Sequence, residues 1–259
     1  MRLVRYWDQA ANAARWGVHE GDRIREIAGT PYEGIHTTSN THPVSAVRML
    51  PPCEPTKIVA GGANYYGHLK EVGLAVPDVP VFFLKPPSAL VGPDDAVVYP
   101  PQTKRLEYEG ELAVVVARPM RNTPPEEVLG NLLGYTCVND VTARDIQVIG
   151  GNLLHLCHSK SFDTFCPAGP WVETELDAHN LDIELRINGE VRQRRTNTSD
   201  MIFPVEKMVS YFSHVMTLLP GDLILTGAPP GIGPMEPGDQ VEVIIQGIGT
   251  LRHTVVRAA

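Results

Sequence analysis

Apolar and polar positions alternate along most of this chain with the period of two expected of strands, and the 3.6-residue period of helices surfaces only in short stretches. LVRYW at 3–7, ARWGVHE at 14–20 and DRIREI at 22–27 read as short strands, with turns at Asp8-Gln9 and Glu20-Gly21-Asp22. KIVAGG at 57–62, VFFL at 81–84, LEYEGELAVVV at 106–116 and LLGYTCV at 132–138 continue the pattern. Asn188-Gly189 inside LDIELRINGEVRQRR predicts a hairpin with a type I′ turn. QVEVIIQGIGTLRHTVV at 240–256 predicts two strands joined at Gly247-Ile248-Gly249. Helical spacing is confined to one or two turns over 65–72, a short helix capped by Thr123, and an amphipathic helix from Pro204 with Val205, Met208, Val209 and Phe212 on one face. The pattern predicts a mostly β protein with short helices, of the α+β class. Pro51, Pro52 and Pro55 cannot sit inside a central strand, so a boundary falls near residue 52. It divides a small N-terminal β domain, 1–52, from a larger domain, 53–259.

Composition adds a few constraints. A chain of 259 residues with 43% hydrophobic and 20% charged residues forms a packed core, large enough for one domain and a small appendage. A formal charge of −8 and a pI of about 5.6 exclude a nucleic-acid backbone or an anionic membrane as partner, while leaving room for a local basic pocket. No apolar run is long enough to cross a bilayer, and the N-terminus carries no uninterrupted apolar core of a secretion signal, so a cytoplasmic protein is expected. Cys53, Cys137, Cys157 and Cys166 form no C-x-x-C pair and are expected as reduced thiols. His155, Cys157 and His158 are too few for a zinc site.

The chemistry concentrates in 105–147. Side chains on a strand alternate faces, so Glu109 and Glu111 point the same way, with Glu107 on that face at the strand's start. Like charges beside Ala113 and Val115 repel and lose hydration, a cost that a hard divalent cation held by oxygen ligands would remove. Asp140, at the end of the next apolar run, is a third oxygen donor. From these residues alone the alternative stays open that the glutamates form the solvated face of a half-exposed strand. His68 and Glu71 stand at i and i+3, either a carboxylate orienting a general base or a surface ion pair on a short helix.

The ordered set EYEGEL, NDVTARDIQ, KSFDTFCPAGPW and LTGAPPGIG resembles the fumarylacetoacetate hydrolase family over roughly residues 55 to 257. The resemblance implies a mixed β-roll for the larger domain. It implies Glu109, Glu111 and Asp140 as ligands of Mg²⁺, or of Mn²⁺ or Ca²⁺. A His68-Glu71 dyad would lie on a closing segment made supple by Gly61, Gly62, Gly67 and Gly73, and Lys160 would join it in catalysis. Arg144, Gln147, Tyr65 and Lys85 are assigned to substrate binding. The implied substrate is a small anionic 2-oxo acid, and the implied assembly a homodimer. Hydrolysis of a C–C bond in an acylpyruvate-type β-diketo acid through a metal-bound enolate comes first. Decarboxylation, isomerisation or dehydration at the same site, and a non-catalytic acid-binding role, are the alternatives. Where the family usually carries threonine, this chain has Ala228, which removes a hydroxyl that normally helps hold the substrate carboxylate.

Overall fold

A computed structural model describes residues 1–149, 152–153 and 155–258. Its spine is the strand Gly110–Val116, buried at every position. A Leu, Ala and Val run of this kind needs cover on both faces, and it lies between two antiparallel neighbours, Leu132–Asn139 and Leu223–Leu225. Beyond Leu223–Leu225 the sheet continues through the parallel strand Ile58–Gly62 to Val81–Lys85 at its edge. Beyond Leu132–Asn139 it continues through Cys166–Glu173.

The mostly β class with short helices is what the alternation predicts. The N-terminal residues form the expected strands, Arg2–Asp8, Ala13–Glu20 and Arg23–Ile27, followed by Thr37–Pro43. They do not make a sheet of their own. Arg2 and Leu3 pair with Glu173 and Val172, so the N-terminal meander extends the central sheet and covers an edge that would otherwise offer unpaired backbone groups. A second, five-stranded sheet contains Ala96–Tyr99, Asp182–Ile187, Glu190–Asn197, Gln240–Ile245 and Gly249–Arg257. It packs on the first closely at Gly110, where a Cβ would lie 3.1 Å from Leu185 and 3.3 Å from Val243. The hairpin turn has Asn188 at φ 53° and Gly189 at φ 82°, as a type I′ turn requires.

The helix Tyr66–Val72 ends on Gly73 in the left-handed conformation, and Val205–Val215 buries the four predicted apolar positions. The third predicted helix starts later than expected: it spans Pro125–Val128 without a side-chain cap from Thr123, whose backbone N–H is taken by Ser213 Oγ at 2.9 Å. No helix among the described residues is long and apolar enough to cross a membrane.

One departure shapes everything below. The sequence predicts a single strand over 106–116, but the structure breaks it at Glu109. Leu106–Tyr108 belongs to a separate three-stranded sheet with Thr142–Ala143 and Gly233–Met235. At the break the Glu109 N–H donates to Asn139 Oδ1 at 2.8 Å, and the Glu109 carbonyl accepts the Asp140 N–H at 2.8 Å. A side-chain amide thus replaces a ladder bond, and the chain changes sheets at the residue that carries the first carboxylate.

Candidate metal centre and active-site cavity

Glu109, Glu111 and Asp140 converge. Each offers a carboxylate oxygen, and the three oxygens lie within 4.8 Å of one another. Their exposures of 7%, 1% and 1% remove the alternative of a solvated strand face. Glu107 stays outside the group: its carboxylate accepts from Arg105 Nε and Arg144 Nε, both at 2.6 Å.

Buried carboxylates need partners, and two of the three have cations. Lys160 Nζ donates to Glu109 Oε2 at 2.7 Å and also to Asp140 Oδ2. Lys85 Nζ donates to Asp140 Oδ1 at 2.6 Å, and Arg144 Nη2 to Glu109 Oε1. Burial alone would raise the Glu109 carboxyl, but Lys160 and Arg144 hold it below the ordinary carboxylate range. Burial would likewise lower Lys160, and Asp140 and Glu109 raise it instead, so it remains an ammonium.

Glu111 differs. It accepts one backbone N–H, from Gly227 at 2.7 Å, and no lysine or arginine among the described residues bonds to it. Burial first, then the charges of Asp140 and Glu109, push its carboxyl well above the ordinary value. This is an acidic, oxygen-only site in which one carboxylate, Glu111, bonds to no cation among the described residues, and it suits a hard divalent ion such as Mg²⁺, Mn²⁺ or Ca²⁺ held by Glu109, Glu111 and Asp140. Such an ion would act as a Lewis acid on the oxygens of a ligand bound to it.

A cavity of about 440 Å³ opens beside this centre. Five of the residues singled out from the sequence line it: His68, Glu109, Arg144, Gln147 and Lys160, together with Ala228. Arg144 and Gln147 occupy the short helix Arg144–Gln147 at i and i+3, and Arg144 Nη1 donates to Gln147 Oε1. Asp145 faces away and accepts the Lys104 N–H at 2.9 Å. His68 is largely enclosed, with its Nδ1 3.7 Å from Glu71 Oε2. That oxygen accepts the Gly231 N–H at 3.0 Å, so the carboxylate neighbours the imidazole without being hydrogen-bonded to it. Burial lowers His68 more than Glu109 and Glu71 raise it, and the ring is neutral at pH 7.

Two residues assigned to substrate by the resemblance lie elsewhere. Lys85 is buried behind Asp140, where it also approaches the Val141 carbonyl at 3.4 Å. Tyr65 is wholly enclosed and absent from the cavity wall, and burial together with Glu111 pushes its hydroxyl far up. The geometry makes Lys85 a support for the carboxylates and Tyr65 a core residue. His155, Cys157 and His158 form no three-membered ligand group among the described residues, and Leu156–Lys160 is helical.

Sequence reasoning missed the amides behind the centre. Gln193 sits fully buried in the arginine-rich strand Glu190–Asn197. Its Oε1 accepts the Gly110 N–H at 3.1 Å, and its Nε2 donates to the Pro229 carbonyl at 3.0 Å. It ties the residue between Glu109 and Glu111 to the loop that carries Ala228. Its one readable signal is an uncharged polar residue alternating with arginines.

Asn139 is backed by His253, whose Nε2 lies 2.9 Å from Asn139 Nδ2. Asn139 Oδ1 is already an acceptor, so Nδ2 donates and the His253 ring is neutral. Burial lowers His253 from 6.5 to about 4. The unfolded chain binds more protons than the fold between those values, so the contribution to stability is full above 6.5 and is lost as pH falls towards 4. Replacing His253 with Asn should flatten the pH dependence of the unfolding free energy in that window by up to about 3 kcal/mol. Urea unfolding from pH 4 to 7 checks it, and an unchanged slope would exclude His253 as the source.

Three buried carboxylates that could hold a divalent ion thus stand beside a cavity lined by Glu109, Lys160 and the His68 imidazole. Residues 57–256 match the fumarylacetoacetate (FAA) hydrolase C-terminal domain, and residues 1–52 match the Rv2993c-like N-terminal domain. The chain belongs to the fumarylacetoacetate hydrolase family, whose members are enzymes that include isomerases, hydrolases and tautomerases. It is similar to the crystal structure of 5-carboxymethyl-2-hydroxymuconate delta-isomerase from Mycobacterium smegmatis, with a TM-score of 0.91 and 40% identity over 100% of both chains. It is 44% identical over 236 residues to protein Rv2993c of Mycobacterium tuberculosis, covering 90% of this chain and 88% of that one. It is 38% identical over 225 residues to the mitochondrial oxaloacetate tautomerase Fahd2a of Rattus norvegicus, covering 83% of this chain and 71% of that one.

Proposed function

We propose that this protein moves a proton on a small 2-oxo acid, interconverting keto and enol forms or shifting a double bond, with a divalent ion at Glu109, Glu111 and Asp140. The observation that carries this reading is an enclosed His68 on the same cavity wall as Glu109 and Lys160, where burial lowers the imidazole's affinity for a proton. A neutral imidazole takes a proton from the carbon next to the oxo group and returns it at oxygen or at a carbon further along. Glu71 stands near enough to favour the transient imidazolium. Lys160, held by Glu109 and Asp140, places positive charge on the wall where the enolate oxygen develops. The names of the isomerase and tautomerase relatives support the same class of step.

One arrangement favours a second reading, hydrolysis of an acylpyruvate-type C–C bond. His68 and Glu71 are adjacent, and closing the 3.7 Å gap would orient the ring to deprotonate water. Following oxaloacetate and acetylpyruvate by NMR in D₂O with Mn²⁺ or Mg²⁺ tests both. Deuterium exchange or keto–enol conversion without cleavage supports proton transfer, and acetate plus pyruvate supports hydrolysis. Release of CO₂ alone, or no reaction with either metal, counts against both.

The catalytic form of His68 is the deprotonated one, so turnover should fall on the acid side as pH drops through its lowered value. His68→Gln should cut kcat by about 10²- to 10⁴-fold and keep metal binding. A kcat within a few-fold of the unmodified enzyme would remove His68 from the mechanism.

A further inference from the structure

Resting on that reading, we infer that the end of the substrate remote from the 2-oxo acid is apolar and uncharged, and that this enzyme selects alkyl or aryl 2-oxo acids over dicarboxylates. The strand Val81–Lys85 lays out the cavity. Residues 85, 83 and 81 share one face, about 3.3 Å of rise apart per residue. Lys85 grips Asp140 at the inner end. Phe83 comes next, its ring centroid 5.0 Å from Lys160 Nζ. Val81 stands at the mouth, 39% exposed. Lys85 itself stands behind the wall, which runs from Lys160, beside Phe83, out to Val81 and so from charged to apolar.

The opposite strand leaves room for a chain to pass. Gly62 pairs with Val81, and a Cβ built on Gly62 would meet only Val81 at 3.7 Å and Phe83 at 3.9 Å, both ordinary contacts. Val72, Leu74, Ala75, Pro77, Val148 and Leu156 add further apolar lining.

A remote carboxylate would find no partner there. The cations among the described lining residues are Arg144 and Lys160, and both stand at the carboxylate end, against Glu109. The three Arg144 nitrogens serve Glu107, Gln147 and Glu109, and Lys160 serves Glu109 and Asp140. The sequence from 149 to 154, IGGNLL, contains no cationic residue. A second carboxylate would lose water against Phe83, Val81 and Leu74 with nothing returned.

Butanoylpyruvate and succinylpyruvate differ only in a terminal methyl against a carboxylate, and calorimetric titration of each into the Mn²⁺-loaded enzyme compares them. Butanoylpyruvate should bind at least about tenfold more tightly, and each added methylene up to hexanoylpyruvate should gain roughly two- to fourfold. Val81→Arg, at an exposed edge position, should reverse the preference. Equal affinities, binding of neither acid, or tighter binding of succinylpyruvate in the unmodified enzyme would overturn the inference. Turnover of the same acids is read separately. Loss of turnover with the affinity order intact removes the proposed reaction but leaves the selectivity, and turnover with the order reversed does the opposite.

Discussion

Glu111→Gln should abolish metal binding and turnover while leaving the metal-free protein at least as stable as the unmodified chain. The argument rests on what Glu111 lacks. It has one backbone N–H from Gly227 and no bonded cation among the described residues, and it stands beside two further carboxylates. A glutamine amide oxygen can keep the Gly227 bond while relieving the repulsion from Asp140 and Glu109. It also takes one charged ligand out of three. Removing even an outer partner of a metal ligand costs about 10- to 100-fold in affinity, so the loss here should be at least about a hundredfold. Thermal unfolding with and without Mn²⁺ separates the two effects. An ion at a hundred times its dissociation constant stabilises the unmodified fold by about 2.7 kcal/mol, and that gain should vanish in the variant. A variant as strongly stabilised by Mn²⁺ as the parent would contradict the assignment.

Lys160→Met should produce the opposite pattern. The ammonium bridges Glu109 and Asp140 at 3% exposure, and without it two buried carboxylates lose their shared cation. Breaking a buried ion pair from one side costs about 3–5 kcal/mol. In chelator the variant should be destabilised by that order, as read by denaturant unfolding. Mn²⁺ should restore much of the loss, because a divalent ion supplies the charge that the lysine supplied. Turnover should stay low, since the cationic wall of the cavity is gone. A stability loss that Mn²⁺ leaves untouched would show that the lysine and the ion do not share these carboxylates.

The local pattern, two glutamates at i and i+2 and an aspartate ending the next apolar run, offered the three oxygens and left a solvated face open; the family resemblance made them ligands, and the structure brings them together. The mostly β pattern, the Asn188-Gly189 turn and the helix at Val205–Val215 were legible because their signals are local. The break at Glu109 was not. It depends on Asn139, thirty residues away, offering an amide oxygen in place of a backbone carbonyl. Gln193 was hidden in the same way, since its partner Gly110 lies 83 residues earlier and its neighbours advertise a solvated basic edge. Lys85 and Tyr65 show a further limit. Alternation tells which residues share a face, but not whether that face looks into a cavity or behind a carboxylate. Residues 1–52 match an N-terminal domain at the predicted boundary, but nothing in them names Glu173 and Val172 as the partners of Arg2 and Leu3.

Diffraction from crystals grown with Mn²⁺, recorded for its anomalous signal, tests the centre most directly. One strong peak per chain among the carboxylates of Glu109, Glu111 and Asp140, missing in Glu111→Gln crystals of the same form, is the predicted result. A peak elsewhere, or none at saturating Mn²⁺, would contradict it.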